Sequence, residues 1–72
     1  MKDMHEIGKQ LRELRGIRTR TGVAKQLGIG ASALANYERG DRIPNDKAKI
    51  LLARYYGRTV GDLFFDENDD QK

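Results

Sequence analysis

Apolar residues recur at helical spacing along this chain, and glycines separate the segments that carry them. Between residues 19 and 40, two short apolar faces are separated by Gly28 and Gly30. These faces comprise Val23, Ala24 and Leu27 in the first segment, and Leu34 and Tyr37 in the second. Helices this short do not persist alone in water because their nucleation is unfavourable. The pattern therefore predicts two short helices that the rest of the chain must brace.

The spacing across the glycine break predicts how these two helices meet. Gly28 lies where the first helix should end, in the left-handed position that glycine adopts without strain. Ala24, four residues earlier, has a small side chain that lets the second helix approach closely. Counted from Ala24, the apolar positions at plus five, plus ten and plus thirteen are Ile29, Leu34 and Tyr37. This is the spacing of a helix-turn-helix.

A further helix is predicted ahead of this pair, over residues 1–16. Its core stripe comprises Met4, Ile7, Leu11 and Leu14, and its solvent side carries Lys9, Arg12 and Arg15. Gly16 ends this helix, and Ile17 begins the connection that follows it. Thr19 is the expected N-cap of helix 2, the first of the two short helices, because its hydroxyl can accept a hydrogen bond from an unpaired backbone N–H.

Two more helices are predicted after helix 3, which spans residues 31–39 and ends at Gly40. Asn45 is the expected N-cap of a helix ending at Tyr56, and Thr59 that of a last short helix. The predicted inward positions are Ala48, Ile50, Leu52, Ala53 and Tyr56 in the first, and Val60, Leu63 and Phe64 in the second. The sequence thus predicts an all-α fold of five helices over residues 1–65.

Composition limits the chemistry that the chain can support. A domain of 72 residues buries only about 60% of its unfolded surface, which leaves little room for an active-site cleft. The absence of cysteine excludes disulfides and Cys-based zinc sites. No paired catalytic residues are recognisable, so we expect no enzyme activity, cofactor, metal or small-molecule substrate. No apolar run approaches the roughly 20 residues that cross a bilayer, so we expect a cytoplasmic protein without a membrane partner.

Charge is distributed unevenly along the chain. Residues 1–58 carry thirteen Lys or Arg and six Asp or Glu, whereas residues 59–72 carry one Lys and five acidic residues. The basic part is suited to binding polyanions. Residues 66–72, DENDDQK, are predicted to form an acidic, disordered tail.

Several segments resemble the lambda-repressor-like (XRE/Cro) family of helix-turn-helix DNA-binding domains. The matching segments are LRELR at 11–15, VAKQLGI at 23–29, SALANYERG at 32–40, and residues 44–64, which end in DLF. The resemblance covers residues 4–65 and implies a compact five-helix domain that binds double-stranded DNA as a transcriptional repressor. The connection between helices 1 and 2 is shorter than in most relatives, and Ile17 is expected to fill the core site that a loop leucine occupies in them. A DNA-binding domain of this kind is expected to be associated with the nucleoid.

By this resemblance, helix 3 is the recognition helix that enters the major groove. The residues expected to contact bases are Ala31, Ser32, Ala35 and Asn36, and those expected to contact the DNA backbone are Thr19, Arg20, Ala33, Arg39 and Arg42. Asn36 can pair bidentately with adenine, and alanine methyls can pack on thymine methyls, which predicts half-sites containing A·T pairs. Alternatively, the alanines only sustain the helix and DNA shape supplies the specificity. Relatives usually carry glutamine where Arg20 stands, so the usual amide contact is lost.

Three apolar residues that the predicted core does not use indicate a surface for self-association. Leu51, Tyr55 and Phe65 are the candidates for a homodimer interface that would place two copies on an inverted repeat. The alternative is that these residues only cover the edge of the core. A second function also stays open, because helix 3 has few side chains that read bases. The chain could be a protein-binding module on the same fold, such as an antitoxin-like or sporulation-type partner protein.

Overall fold

Five helices form the part of the chain that the structure describes. The structure is a computed structural model that describes residues 2–65, and within this range it contains no β-strand. The helices are α1 (Met4–Arg15), α2 (Arg20–Leu27), α3 (Ala31–Arg39), α4 (Asp46–Tyr56) and α5 (Val60–Phe64). None of these five is long and apolar enough to span a membrane. The predicted all-α fold is confirmed, whereas the predicted acidic tail at residues 66–72 lies outside the described residues.

Short polar side chains cap the first turns of four of these helices. Thr19 accepts a hydrogen bond from the N–H of residue 22, Asn45 from that of residue 48, and Thr59 from that of residue 62. All three N-caps are as predicted, because capping depends on local sequence. Asp3 caps α1 in the same way. For this reason α1 begins at Met4 rather than at residue 1.

The turn between α2 and α3 has the predicted left-handed glycine. Gly28 adopts φ 75° and ψ 27°. Its N–H donates to the carbonyl of Lys25, and the N–H of Ile29 donates to the carbonyl of Ala24 over 3.0 Å. These bonds satisfy carbonyls at the end of α2 that would otherwise be unpaired. The chain therefore turns sharply and α3 begins three residues after Gly28.

All five helices contribute side chains to one core. α1 packs across α3, α2 contacts α3 and α4, and α5 contacts α1 and α4. The core residues are Ile7, Leu11, Val23, Ala24, Leu27, Leu34, Tyr37, Ala48, Leu52, Ala53, Leu63 and Phe64. The predicted apolar faces of α2 and α3 are therefore confirmed. The core holds the back of α3 and leaves its other side accessible.

The crossing of α1 over α3 brings two backbones together at Gly8. A Cβ atom at this position would lie 2.9 Å from the carbonyl oxygen of Tyr37 and closer still to that of Glu38. Any side chain at residue 8 would therefore push α1 away from α3. This close approach sets the depth at which α3 sits in the domain.

Three apolar residues predicted to be inside lie on the surface instead. Ile17 is 103% exposed, Ile50 49% and Met4 37%. At about 100° per residue, Ile50 points about 200° away from the buried Ala48, so both cannot face the same core. The half-buried Leu51 lies closer to that face and packs against the core.

Arg18, rather than Ile17, ties the α1–α2 connection to the domain. Its guanidinium lies 5.5 Å and 5.7 Å from the ring centroids of Tyr55 and Tyr56 and donates to the carbonyl of Leu14. A cation can satisfy this carbonyl and stack on the rings, which an isoleucine cannot do. Burial raises the pKa of Tyr56, whose hydroxyl has no hydrogen-bond partner among residues 2–65.

Candidate nucleic-acid interface

The accessible side of α3 carries a stripe of polar side chains. Ser32, Asn36 and Arg39 are spaced by four and three residues, so they lie along one side of the helix. Ser32 and Arg39 are exposed, and Asn36 is half-buried. Ala31, at the first position of α3, is also exposed. We call Ser32, Asn36 and Arg39 the recognition stripe.

Two of the alanines predicted to contact DNA do not lie on this stripe. Ala35 is only 8% exposed, and Ala33 is half-buried against the core. Ala35 precedes the buried Glu38 by one turn, so the two side chains leave the same side of α3. The expectation that Ala35 points outward is therefore wrong. Its methyl group is not available to pack on a thymine.

Side-chain hydrogen bonds join the end of the recognition stripe to the residue after Gly40. Arg39 Nη2 donates to Asn36 Oδ1 over 2.6 Å, and Arg39 Nε donates to Asp41 Oδ2 over 3.0 Å. The side chains of Arg39 and Asp41 are 55% and 58% exposed. Arg39, which is predicted to contact phosphates, is thus hydrogen-bonded to Asn36, which is predicted to contact a base.

Beneath this stripe, the carboxylate of Glu38 joins three helices. Glu38 is fully buried. Its Oε2 accepts from Arg15 Nε of α1 over 2.8 Å, and its Oε1 accepts from Arg20 Nε of α2 over 3.0 Å. Arg12 donates to the backbone carbonyl of Glu38. Such pairing is what a buried charge requires, because an unpaired carboxylate is strongly disfavoured inside a protein.

The sequence-based placement of Arg15 on the solvent side is therefore wrong. Its side chain is 17% exposed and paired with Glu38. The hydrogen bond that Arg15 donates to Glu38 raises the pKa of Arg15, and burial opposes this effect. One signal was available in the sequence, since Glu38 follows Leu34 by four residues and therefore shares its inward face. A carboxylate at such a position requires a cation on a neighbouring helix.

The start of α2 presents hydrogen-bond donors next to this buried cluster. Arg20 is 41% exposed and uses only its Nε–H in the contact with Glu38, so the N–H groups at its outer end are left to donate. Thr19 is exposed and accepts from the N–H of Gly22, which leaves its hydroxyl proton to donate. Arg42 is exposed in the connection after α3. Donors of this kind suit the acceptor oxygens of phosphates.

A separate apolar groove lies between α4 and α5. It has a volume of about 330 Å³ and is lined by Asp46, Lys49, Ile50, Val60 and Phe65. Phe65 is half-buried at its edge, and the ammonium of Lys49 lies 5.4 Å from its ring centroid. Of the predicted dimer residues, Leu51 and Tyr55 are half-buried and pack against the core. Sequence reasoning missed Ile50 because it was assigned to the core.

No group of three or more His, Asp or Glu side chains within residues 2–65 is arranged to hold a metal ion.

A sequence profile described as helix-turn-helix matches residues 9–63 of the chain. Comparisons with curated proteins and with solved structures give no match for this chain. The matched segment contains the whole of α2, α3 and their turn, and hence the whole recognition stripe.

Proposed function

This chain belongs to the lambda-repressor-like family of helix-turn-helix DNA-binding domains, and we propose that it is a cytoplasmic repressor of transcription that binds specific duplex sequences. The observation that carries this proposal is the recognition stripe of Ser32, Asn36 and Arg39. It lies on a helix whose opposite side is anchored in the core. An α-helix fits the major groove, where each base pair presents a distinct pattern of donors and acceptors.

Contacts to the DNA backbone would come from the residues that flank the stripe. Thr19, Arg20 and Arg42 offer exposed or half-exposed donors at the start of α2 and after α3. Such contacts fix the register and the affinity of binding without reading sequence. They also make binding strongly dependent on salt, since each neutralised phosphate releases counterions.

The proposed repressor acts as a homodimer on an inverted repeat. We propose that a second copy covers the groove between α4 and α5. Ile50 there is 49% exposed although it is strongly apolar. Two-fold pairing of a small domain doubles its contacts with DNA, which compensates for the few base-reading side chains of one α3.

Ile50→Glu is expected to raise the dimer dissociation constant at least about 30-fold, because it places a charge in an apolar contact. Sedimentation equilibrium measures this change. Ile17→Glu is the matched control, since it adds the same charge at a fully exposed position outside the groove. A dimer equally stable in both variants would place the interface elsewhere.

The DNA-binding proposal is tested by selecting bound sites from a random duplex pool at about 0.15 M salt, where nonspecific binding is weakened. We expect an enriched inverted repeat with half-sites about one helical turn apart. Asn36→Ala is expected to lose preference at one position of each half-site, by roughly 10-fold, and to keep its nonspecific affinity. A folded protein that enriches no sequence would contradict the proposal and favour a protein-binding module.

A further inference from the structure

We propose that Arg39 orients the side-chain amide of Asn36 so that α3 reads guanine, rather than adenine, at one position of each half-site. This inference rests on the proposed DNA-binding function and names the residue that sets its specificity. Arg39 is then a positioning residue for Asn36 and a base-reading residue beside it. The sequence alone had pointed to adenine.

The first step of the argument is the orientation of the amide. Arginine has five N–H donors and no acceptor, so only the oxygen of Asn36 can face it. The distance of 2.6 Å from Arg39 Nη2 to Asn36 Oδ1 fits a strong, charge-assisted hydrogen bond. The Nδ2 group of Asn36 must consequently point away from Arg39.

Asp41 supports this orientation through a second nitrogen of the guanidinium. Its Oδ2 accepts from Arg39 Nε over 3.0 Å. Asp41 is itself held close to α3, because its backbone N–H donates to the carbonyl of Asn36 over 2.9 Å. The guanidinium is therefore held between a carboxylate and an amide oxygen. It has fewer conformations to lose when it meets a base.

The second step is the pattern that this arrangement presents to the groove. Bidentate pairing with adenine needs the Asn36 oxygen as acceptor for N6 and its nitrogen as donor to N7. Here one of the two lone pairs of that oxygen already accepts from Arg39, and the N–H groups of the guanidinium lie beside it. The N6 amino group of adenine would meet these donors with donors of its own. Guanine presents two acceptors, O6 and N7, which match N–H groups from both residues.

Site selection with the wild type, Asn36→Ala and Arg39→Ala tests this inference in the full chain. The position whose preference disappears in Asn36→Ala is the one that Asn36 reads. Dissociation constants are then measured for duplexes that carry guanine or adenine at that position. We expect the wild type to prefer guanine by roughly 5- to 150-fold. In Arg39→Ala the Asn36 oxygen is released, so we expect the preference to move to adenine.

Arg42→Ala is the matched control for loss of one positive charge. Arg42 is exposed three residues after Arg39, and we expect its loss to weaken binding to both duplexes equally. A thermal melt by circular dichroism verifies that each variant folds, which the exposure of Arg39 leads us to expect. The measured quantity is a ratio of two dissociation constants, so a uniform loss of affinity does not affect it.

Three results would overturn the inference, and one of them would overturn the proposed function as well. A wild type that prefers adenine at this position, or a guanine preference that survives in Arg39→Ala, would refute the role of Arg39 and leave DNA binding intact. A wild type that selects no sequence would refute the proposed function as well. A preference for guanine in the wild type, together with a preference for adenine in Arg39→Ala, would establish the inference.

Discussion

Gly8→Ala is expected to destabilise the domain by at least about 3 kcal/mol, although alanine is the better helix former by about 1 kcal/mol. The reason is the crossing of α1 over α3. A Cβ at residue 8 would lie 2.9 Å from the carbonyl oxygen of Tyr37 and nearer to that of Glu38. Backbone cannot yield as a flexible side chain can, so α1 must move away from α3. Overpacking of this kind typically costs about 1–3 kcal/mol, and two helices of this small core are displaced together.

Urea unfolding measures this change as a fall in the transition midpoint. Gly61→Ala is the matched control, since it makes the same exchange in α5, where the new Cβ would lie 3.7 Å from Thr59 Oγ1 in ordinary contact. We expect this control to be neutral or more stable by up to about 1 kcal/mol. Equal effects of the two alanines would contradict the close crossing of α1 and α3.

The second large effect is expected for Glu38→Ala, which should lower the free energy of unfolding by about 3–4 kcal/mol. The carboxylate is fully buried and pairs with Arg15 and Arg20. Its removal leaves Arg15, only 17% exposed, without its anion and leaves a cavity among three helices. Breaking a buried ion pair typically costs about 3–5 kcal/mol, and the partial exposure of Arg20 places the value in the lower part of this range.

Glu38→Gln separates the contribution of charge from that of shape. It fills the same volume and can still accept from one arginine, so we expect a smaller loss of about 1–2 kcal/mol in the same urea experiment. Glu13→Ala removes an exposed carboxylate of α1 and is expected to change stability by less than about 0.5 kcal/mol. If Glu38→Ala lowered the free energy of unfolding as little as Glu13→Ala does, the Glu38 carboxylate would not hold α1, α2 and α3 together.

The predictions that the structure confirms concern local signals. The caps Thr19, Asn45 and Thr59, the left-handed Gly28 and the bounds of α3 all depend on residues within one turn of the feature. Such interactions need no distant partner, so a reader of the sequence has all the participants at hand. The spacing of apolar residues in α2 and α3 is equally local. It sufficed to identify the helix-turn-helix.

The predictions that are wrong concern residues whose environment comes from elsewhere in the chain. Comparison with relatives assigns Ile17 to a core site, but Arg18 ties that connection to the domain through contacts with Tyr55 and Tyr56, more than thirty positions away. Arg15 lies off the apolar stripe of α1 and is therefore predicted to face solvent, yet it pairs with a carboxylate of α3. A long or amphipathic side chain can face either the core or solvent, and the position of its interaction partner determines which.

Local patterns in the sequence were enough to predict five helices, the caps of α2, α4 and α5, the glycine turn and the apolar faces of α2 and α3, and with them the family. Tertiary structure decided which side of α3 is accessible, because the packed helices bury Ala35 and Glu38 and leave Ser32, Asn36 and Arg39 outside the core. It also decided how Asn36 is oriented, since its partner Arg39 is in turn held by Asp41. Helix periodicity says which residues share a side. The packing of the helices against one another determines which side is exposed to solvent. It also determines which donors and acceptors come within hydrogen-bonding distance.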